Sequence, residues 1–127
     1  MGKLYLVSIG PGALDMIIPR ASEALKNSDF IIGHQLYLDL IQSLIQKKEQ
    51  IASPWGQEVE RVDLSIKKAE EGKRVSLVSS GDIGVYALGG LALERLGENK
   101  QKVDFEIIPG VTSANACASI LGAPLAH

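Results

Sequence analysis

The sequence predicts an α/β fold: a five-stranded, mainly parallel sheet with helices on both faces. Five short apolar runs rich in β-forming residues alternate with five segments whose apolar residues recur every three or four positions. The first run is almost continuously apolar, which is typical of a parallel strand covered on both faces. This alternation implies right-handed crossovers and a ligand site beyond the carboxyl ends of the strands.

The first strand is predicted at 3–9 (KLYLVSI). The helix after it begins near Pro19, which suits a first-turn position, and ends at residues 27–28. A second strand over 29–33 ends in glycine. The next helix, over 36–45, has apolar residues around most of its circumference.

A weak third strand at 49–52 is closed by the turn 53–56 (SPWG). The next helix, 58–71, is amphipathic, because apolar residues at helical spacing alternate with charges before a glycine stop. The last two units pair a strand with a helix, at 74–79 with 86–96 and at 103–108 with 111–121.

Length and composition indicate one domain and a small-molecule partner. The chain has 127 residues, 46% of them hydrophobic, enough for one sizeable core. A net charge of -2 argues against a nucleic-acid partner, since proteins that bind phosphate backbones present a basic face. No signal-peptide pattern and no apolar run long enough for a membrane span occurs, so we expect no membrane partner and a cytoplasmic location.

Two features near the end of the sequence carry expectations of their own. The run 121–127 (LGAPLAH) is a Gly/Pro boundary, which suggests a domain cut from a longer protein. The single cysteine, Cys117, stands among small residues and is predicted to be a buried core thiol.

Three predicted strand ends carry small residues that expose backbone: 9–12 (IGPG), 79–86 (SSGDIGVY) and 109–114 (PGVTSA). Each has a structural alternative. The glycines of the first turn serve a ligand or an ordinary βα turn. Asp82 grips a polar ligand group or caps a helix, and the Thr112 and Ser113 hydroxyls bind a polar ligand or cap the last helix.

His34 and Trp55 are the remaining candidates. His34 follows the second strand, where an imidazole can move a proton, although a lone histidine is more often a satisfied polar residue. Trp55 is a lid or, as we expect, simple packing. No metal-ligand cluster, nucleophile elbow or P-loop is present in the sequence, so no metal site is predicted.

In this order the three motifs, continued by 121–125 (LGAPL), resemble the tetrapyrrole (corrin and porphyrin) methylase family. Its members transfer a methyl group from S-adenosylmethionine. The segments 19–21, 33–41, 58–61 and 79–86 look most like the branch that methylates carbon 17 of precorrin-3B or cobalt-factor III, with ring contraction.

The resemblance implies the roles of individual residues. It places Gly10 and Gly12 in the substrate trough, and it predicts that the cofactor is bound by Pro11, Ser80, Gly81, Asp82, Val85, Thr112 and Ser113. In a related methylase a proposed base follows the second strand, and the aligned residue is His34, which is therefore predicted to be the catalytic acid/base group.

The resemblance covers only the N-terminal half of the family's enzymes. It implies that 1–127 is an N-terminal domain, that a C-terminal domain is missing, and that the fragment alone is inactive. We also expect a tetrapyrrole substrate and a homodimer, whose interface is the apolar helix 36–45.

Three positions depart from the family pattern: Ser8 for glycine, Ile18 for threonine, and Ile83 for the proline that often follows Gly-Asp. Two alternatives stay open. One is a family member with another acceptor, such as a different precorrin, a modified histidine of a translation factor or ribosomal RNA; the other is a non-catalytic nucleotide-binding module.

Overall fold

The computed structural model describes residues 2–97 and 103–126, so the final histidine of the predicted boundary run lies outside the described residues. The strands are β1 (Lys3–Ser8), β2 (Phe30–His34), β3 (Glu49–Ser53), β4 (Arg74–Ser79) and β5 (Asp104–Ile108). The helices are α1 (Pro19–Asn27), α2 (Gln35–Leu40), α3 (Gln42–Ile45), α4 (Glu58–Glu70), α5 (Gly89–Leu96) and α6 (Ser113–Leu121), with a short 3-10 turn at Leu14–Met16.

The sheet confirms the predicted fold class. Its order is β3-β2-β4-β1-β5, and every pairing between these strands is parallel. Side chains of β1 alternate between two cores, as a period of two requires: Leu4 and Leu6 face one core, and Val7 faces the other. The sheet is therefore covered on both faces.

Each core is closed by its own helices. The core around Leu4 is completed by α4 and α5, for example by Val62 and Ala92. The opposite core is completed by α1, α2 and α3, for example by Leu25 and Leu38. The helix that follows β1 (α1) and the helix that follows β4 (α5) therefore pack on opposite faces of the sheet. Because β1 and β4 are neighbours, a crevice opens at their carboxyl ends.

Two predicted helices have different bounds. The helix expected at 36–45 is broken at Ile41, whose backbone (φ -117, ψ 17) is not helical. The break lets the buried Ile41 join the core while Leu36, Leu40 and Leu44 remain exposed. The helix expected at 86–96 begins only at Gly89, because Tyr86 has a positive φ of 53.

The prediction of a buried Cys117 is wrong. Cys117 is exposed, because α6 buries only Ala116 and joins neither core.

Among the helices that the structure describes, none combines the length and apolarity needed to cross a membrane.

Candidate functional site

Two of the three predicted loops are joined directly by backbone hydrogen bonds. Gly10 N–H donates to the Gly81 carbonyl at 3.1 Å, and Gly81 N–H donates to the Gly10 carbonyl at 2.7 Å. Both glycines have positive φ, 75 and 61, a conformation that other residues rarely adopt. The turn after β1 and the turn after β4 therefore form one unit.

The third loop packs against this unit through Gly110. A Cβ at Gly110 would lie 2.6 Å from the Ser8 Cβ and 2.7 Å from the Gly81 carbonyl oxygen, so only glycine fits. A Cβ on Gly81 would lie 3.6 Å from the Ser113 backbone nitrogen, an ordinary contact distance. The loops after β1, β4 and β5 therefore meet at one point, as the sequence predicted.

Asp82 fastens the loops together. Its Oδ2 accepts the Gly84 N–H at 2.9 Å, and its Oδ1 accepts the Gly110 N–H, also at 2.9 Å. Ser8 adds a further tie, because its Oγ accepts the Ile83 N–H at 2.8 Å. Both carboxylate oxygens of Asp82 thus accept hydrogen bonds from backbone N–H groups. Its role as a direct cofactor ligand stays a prediction.

A cavity of about 560 Å³ opens above this junction. Six predicted cofactor residues line it: Pro11, Ser80, Gly81, Val85, Thr112 and Ser113. Gly10, Gly12, Asp82 and His34 do not line it. The volume lies within the roughly 300–1,000 Å³ range of small-molecule sites.

The start of α6 offers polar groups to the cavity. Thr112 is the N-cap residue, yet its side chain makes no capping hydrogen bond, so the capping alternative for this hydroxyl is wrong. The first backbone N–H groups of a helix have no intrahelical partner. Polar donors are therefore available where Thr112 and Ser113 line the cavity.

His34 is the last residue of β2 and caps α2. Its Nδ1 accepts the Leu36 N–H at 3.0 Å, so the neutral ring carries its proton on Nε2. Its ring stacks on Trp55 with centroids 3.6 Å apart, and only 8% of the residue is exposed. His34 therefore caps α2, and its acid/base role stays a prediction.

The sequence did not identify the other side of the cavity. Trp55, expected to be simple packing, stacks on His34 but remains exposed and lines the cavity. Tyr37, Glu58, Arg61 and the fully exposed Tyr86 line it too. The signal that could have revealed Arg61 is its register, since Arg61, Ser65 and Ala69 are four apart on the buried face of α4.

Two charges of opposite sign stand on the first turns of α4. The Gly56 N–H and the Glu58 N–H hold the pKa of the Glu58 carboxyl below its ordinary value, with Arg61 helping less. Burial lowers the pKa of the Arg61 guanidinium, and Glu58 partly offsets this. Glu58 and Arg61 are therefore both charged at neutral pH.

Within the described ranges, no cluster of three or more His, Cys, Asp or Glu is arranged for a metal ion.

The family model described as Tetrapyrrole (Corrin/Porphyrin) Methylases matches residues 3–127. The chain belongs to the tetrapyrrole methylase family. Among curated methylases it is 45% identical to a cobalt-factor III methyltransferase of Priestia megaterium, covering 99% of this chain and 24% of the relative. It is 39% identical to a probable cobalt-factor III C(17)-methyltransferase of Salmonella typhimurium, covering 98% of this chain and 52% of the relative.

Solved methylase structures agree with the fold. The methyltransferase CobJ superposes with a TM-score of 0.91 at 31% identity, over 100% of this chain and 54% of CobJ. A uroporphyrin-III C-methyltransferase from Thermus thermophilus, solved with S-adenosylhomocysteine, gives 0.79 at 28% identity, over 99% of this chain and 50% of that one. The chain thus spans about half the length of these methylases or less.

Proposed function

We propose that this chain is the N-terminal, cofactor-binding domain of an S-adenosylmethionine-dependent C-methyltransferase of cobalamin biosynthesis. The acceptor is carbon 17 of cobalt-factor III or precorrin-3B, and methylation accompanies ring contraction. One observation carries the proposal: the loops after β1, β4 and β5 converge on one cavity at the crevice of the sheet. The names of the relatives supply the acceptor.

The residues around the cavity fit S-adenosylmethionine. Gly81 has a positive φ of 61, which a residue with a side chain rarely adopts, so the cavity is lined by backbone at this point. The Thr112 hydroxyl is free of a capping bond and can pair with a polar group of the cofactor. The Thermus relative, solved with S-adenosylhomocysteine, supports the assignment.

The cofactor, when bound, supplies an electrophilic methyl group to a nucleophilic ring carbon. The chain's own residues then have to position the two reactants and exclude water from them. The Gly10–Gly81 bridge and the Asp82 clamp hold the loops in fixed register, so Pro11 and Ser80 present a preformed wall. Little acid/base chemistry is needed, consistent with the engaged Nδ1 of His34.

The active site is completed by a C-terminal domain. Relatives of about twice this length or more support this, as do the exposed side chains of Tyr86 and Val85 on the cavity rim. A methyl donor bound by one wall alone stays open to water. The 127-residue chain therefore has negligible methyltransferase activity by itself and binds the cofactor weakly.

The enzyme acts in the cytoplasm, where S-adenosylmethionine is made, and it is a homodimer. The support for a dimer is the exposed apolar row Leu36, Leu40 and Leu44 on α2 and α3. Light scattering after size-exclusion chromatography checks this, because Leu40→Glu is expected to convert a dimer of the complete enzyme into monomers. A monomeric wild-type enzyme would contradict the assignment.

The decisive test of function is an activity assay. The complete enzyme that contains this domain is incubated with labelled S-adenosylmethionine and either cobalt-factor III or precorrin-3B. We expect label in a ring-contracted product at carbon 17, located by mass spectrometry and NMR. Transfer to another ring carbon, or no transfer to either substrate, would overturn the proposal.

A further inference from the structure

Arg61 is a buried guanidinium fixed along one edge only. The residue is 3% exposed. Its Nε donates to Ser53 Oγ at 2.7 Å, and its Nη2 donates to the Pro54 carbonyl at 3.0 Å and the Ser53 carbonyl at 3.5 Å. All of its bonds to described residues thus come from Nε and Nη2, and Nη1 makes none.

The charge of Arg61 has no ion-pair partner among residues 2–97 and 103–126. The salt bridges found there join Lys3, Arg20 and Arg95 to other carboxylates. Glu58 lies close enough to influence the guanidinium but not within 4 Å, and its own carboxylate accepts the Gly56 N–H. A buried charge without a counter-charge is costly, so this arrangement suits an anion brought from outside.

The free edge of Arg61 is reachable from the cavity. No fully buried side-chain nitrogen or oxygen in the described chain lacks a hydrogen-bond partner, so Nη1 keeps contact with solvent. Arg61 lines the cavity beside Trp55 and Tyr37. Because the Nε and Nη2 edge is occupied by the loop after β3, Nη1 is the part of the guanidinium left for an anion in the cavity.

The position of Arg61 separates it from the cofactor loops. It stands on α4, which follows the edge strand β3, whereas the cofactor loops follow the central strand β4 and the two strands beyond it, β1 and β5. Trp55 adds an exposed aromatic surface at the same end. An aromatic surface beside an unpaired guanidinium suits a flat, acidic molecule.

We propose that the free Nη1 edge of Arg61 binds a carboxylate of the ligand in this cavity, namely an acid side chain of the tetrapyrrole. This assignment rests on the proposed function, since it takes the tetrapyrrole as the second ligand. S-adenosylmethionine also carries a carboxylate, so the test has to separate the two sources.

The test is ligand binding by the complete enzyme, wild type and Arg61→Gln. Binding is measured by isothermal titration calorimetry. The acid probe is uroporphyrin, a stable tetrapyrrole with acetate and propionate arms, compared with its methyl ester, whose arms are uncharged. The cofactor probes are S-adenosylhomocysteine and 5′-methylthioadenosine, which lacks the carboxylate.

We expect Arg61→Gln to weaken uroporphyrin binding roughly 10- to 100-fold, the effect of losing one charge-assisted hydrogen bond. Binding of the methyl ester and of both cofactor probes should be unchanged. Arg61→Lys should restore part of the affinity by restoring the charge. Ser53→Ala is the matched control, because it removes an anchor of Arg61 and leaves the guanidinium in place.

Four results would overturn the assignment. Two of them are unchanged uroporphyrin affinity in Arg61→Gln and absence of uroporphyrin binding to the wild type. Another is an equal loss in Ser53→Ala, which would mean that Arg61 only anchors the loop. The last is a selective loss of S-adenosylhomocysteine, which assigns Arg61 to the cofactor. None of these depends on which ring carbon is methylated, so the proposed function can fail separately.

Discussion

The imidazole of His34 is held at Nδ1 by the Leu36 N–H and across its face by the Trp55 indole. We expect His34→Ala to lose about 1 kcal/mol of stability from the cap and about 1 kcal/mol from the stack. His34→Asn keeps a capping oxygen and should lose about half as much. Urea unfolding of the two variants measures the difference.

The same pair tests the catalytic prediction for His34. Because Nδ1 is engaged as an acceptor, we expect His34→Asn to retain methyl transfer within several-fold of the wild-type rate. The assay is single-turnover transfer in the complete enzyme. A stable, folded His34→Asn enzyme without activity would restore the imidazole as the acid/base group.

Glu106 provides a pH-dependent prediction. Burial alone raises its pKa, but hydrogen bonds from Lys3 at 3.1 Å and Arg20 at 2.7 Å, with their charges, outweigh burial and hold the pKa below its ordinary value. A carboxyl with a depressed folded pKa stabilises the fold above its unfolded pKa. That stability is lost as the pH falls through the folded value.

We therefore expect Glu106→Gln to cost up to about 1 kcal/mol at pH 7 and almost nothing at a pH below the folded pKa. Denaturant midpoints at pH 7 and in acid give the two values. A cost that is equal at both pH values would show that the carboxylate charge contributes nothing to stability.

At the scale of elements, Asp82 joins the loop after β4 to the loop after β5. Asp82→Ala leaves the part-buried Gly110 N–H without its acceptor, so we expect a loss of roughly 2 kcal/mol. Asp82→Asn keeps one acceptor oxygen and should lose less. Thermal unfolding measures both variants, and equal stability of Asp82→Ala and wild type would refute the clamp.

Sequence patterns predicted the ends of the strands better than the bounds of the helices. Strand ends were predictable because apolar runs stop at glycine, and Gly10, Gly81 and Gly110 each mark such a stop. The break at Ile41 was not, since it depends on tertiary packing of that side chain. The late start of α5 was missed because the positive φ of Tyr86 is a conformation that residues with a side chain rarely adopt.

The site was likewise half predictable. Glycines in the sequence indicate loops whose backbone is exposed, so the sequence predicted the junction of Gly10, Gly81 and Gly110. Arg61 was missed and Trp55 was expected to be simple packing, because the roles of both depend on contacts between β3, α4 and β2. A charged residue in register with a buried helix face was the available signal.

At the scale of the whole molecule, the described residues expose an apolar patch in addition to the row on α2 and α3. Ile120, Leu121 and Leu125, at the end of α6 and just beyond, are 81%, 77% and 64% exposed. We expect the 127-residue chain to self-associate through this patch at high concentration. Sedimentation velocity should show less association for the double variant Ile120→Lys and Leu121→Lys, with unfolding stability nearly unchanged. A monomeric wild-type chain at the same concentration would contradict this.

The central claim is that the loops after β1, β4 and β5 form a cofactor site. Its most direct test is calorimetric titration of S-adenosylhomocysteine into the complete enzyme, into Gly110→Ala and into Gly90→Ala. Gly110 has no room for a Cβ, whereas Gly90 has nothing within 4 Å of one. We predict wild-type affinity in Gly90→Ala and a loss of about 10-fold or more in Gly110→Ala. No binding to the wild-type enzyme, or equal affinity in all three proteins, would contradict the account.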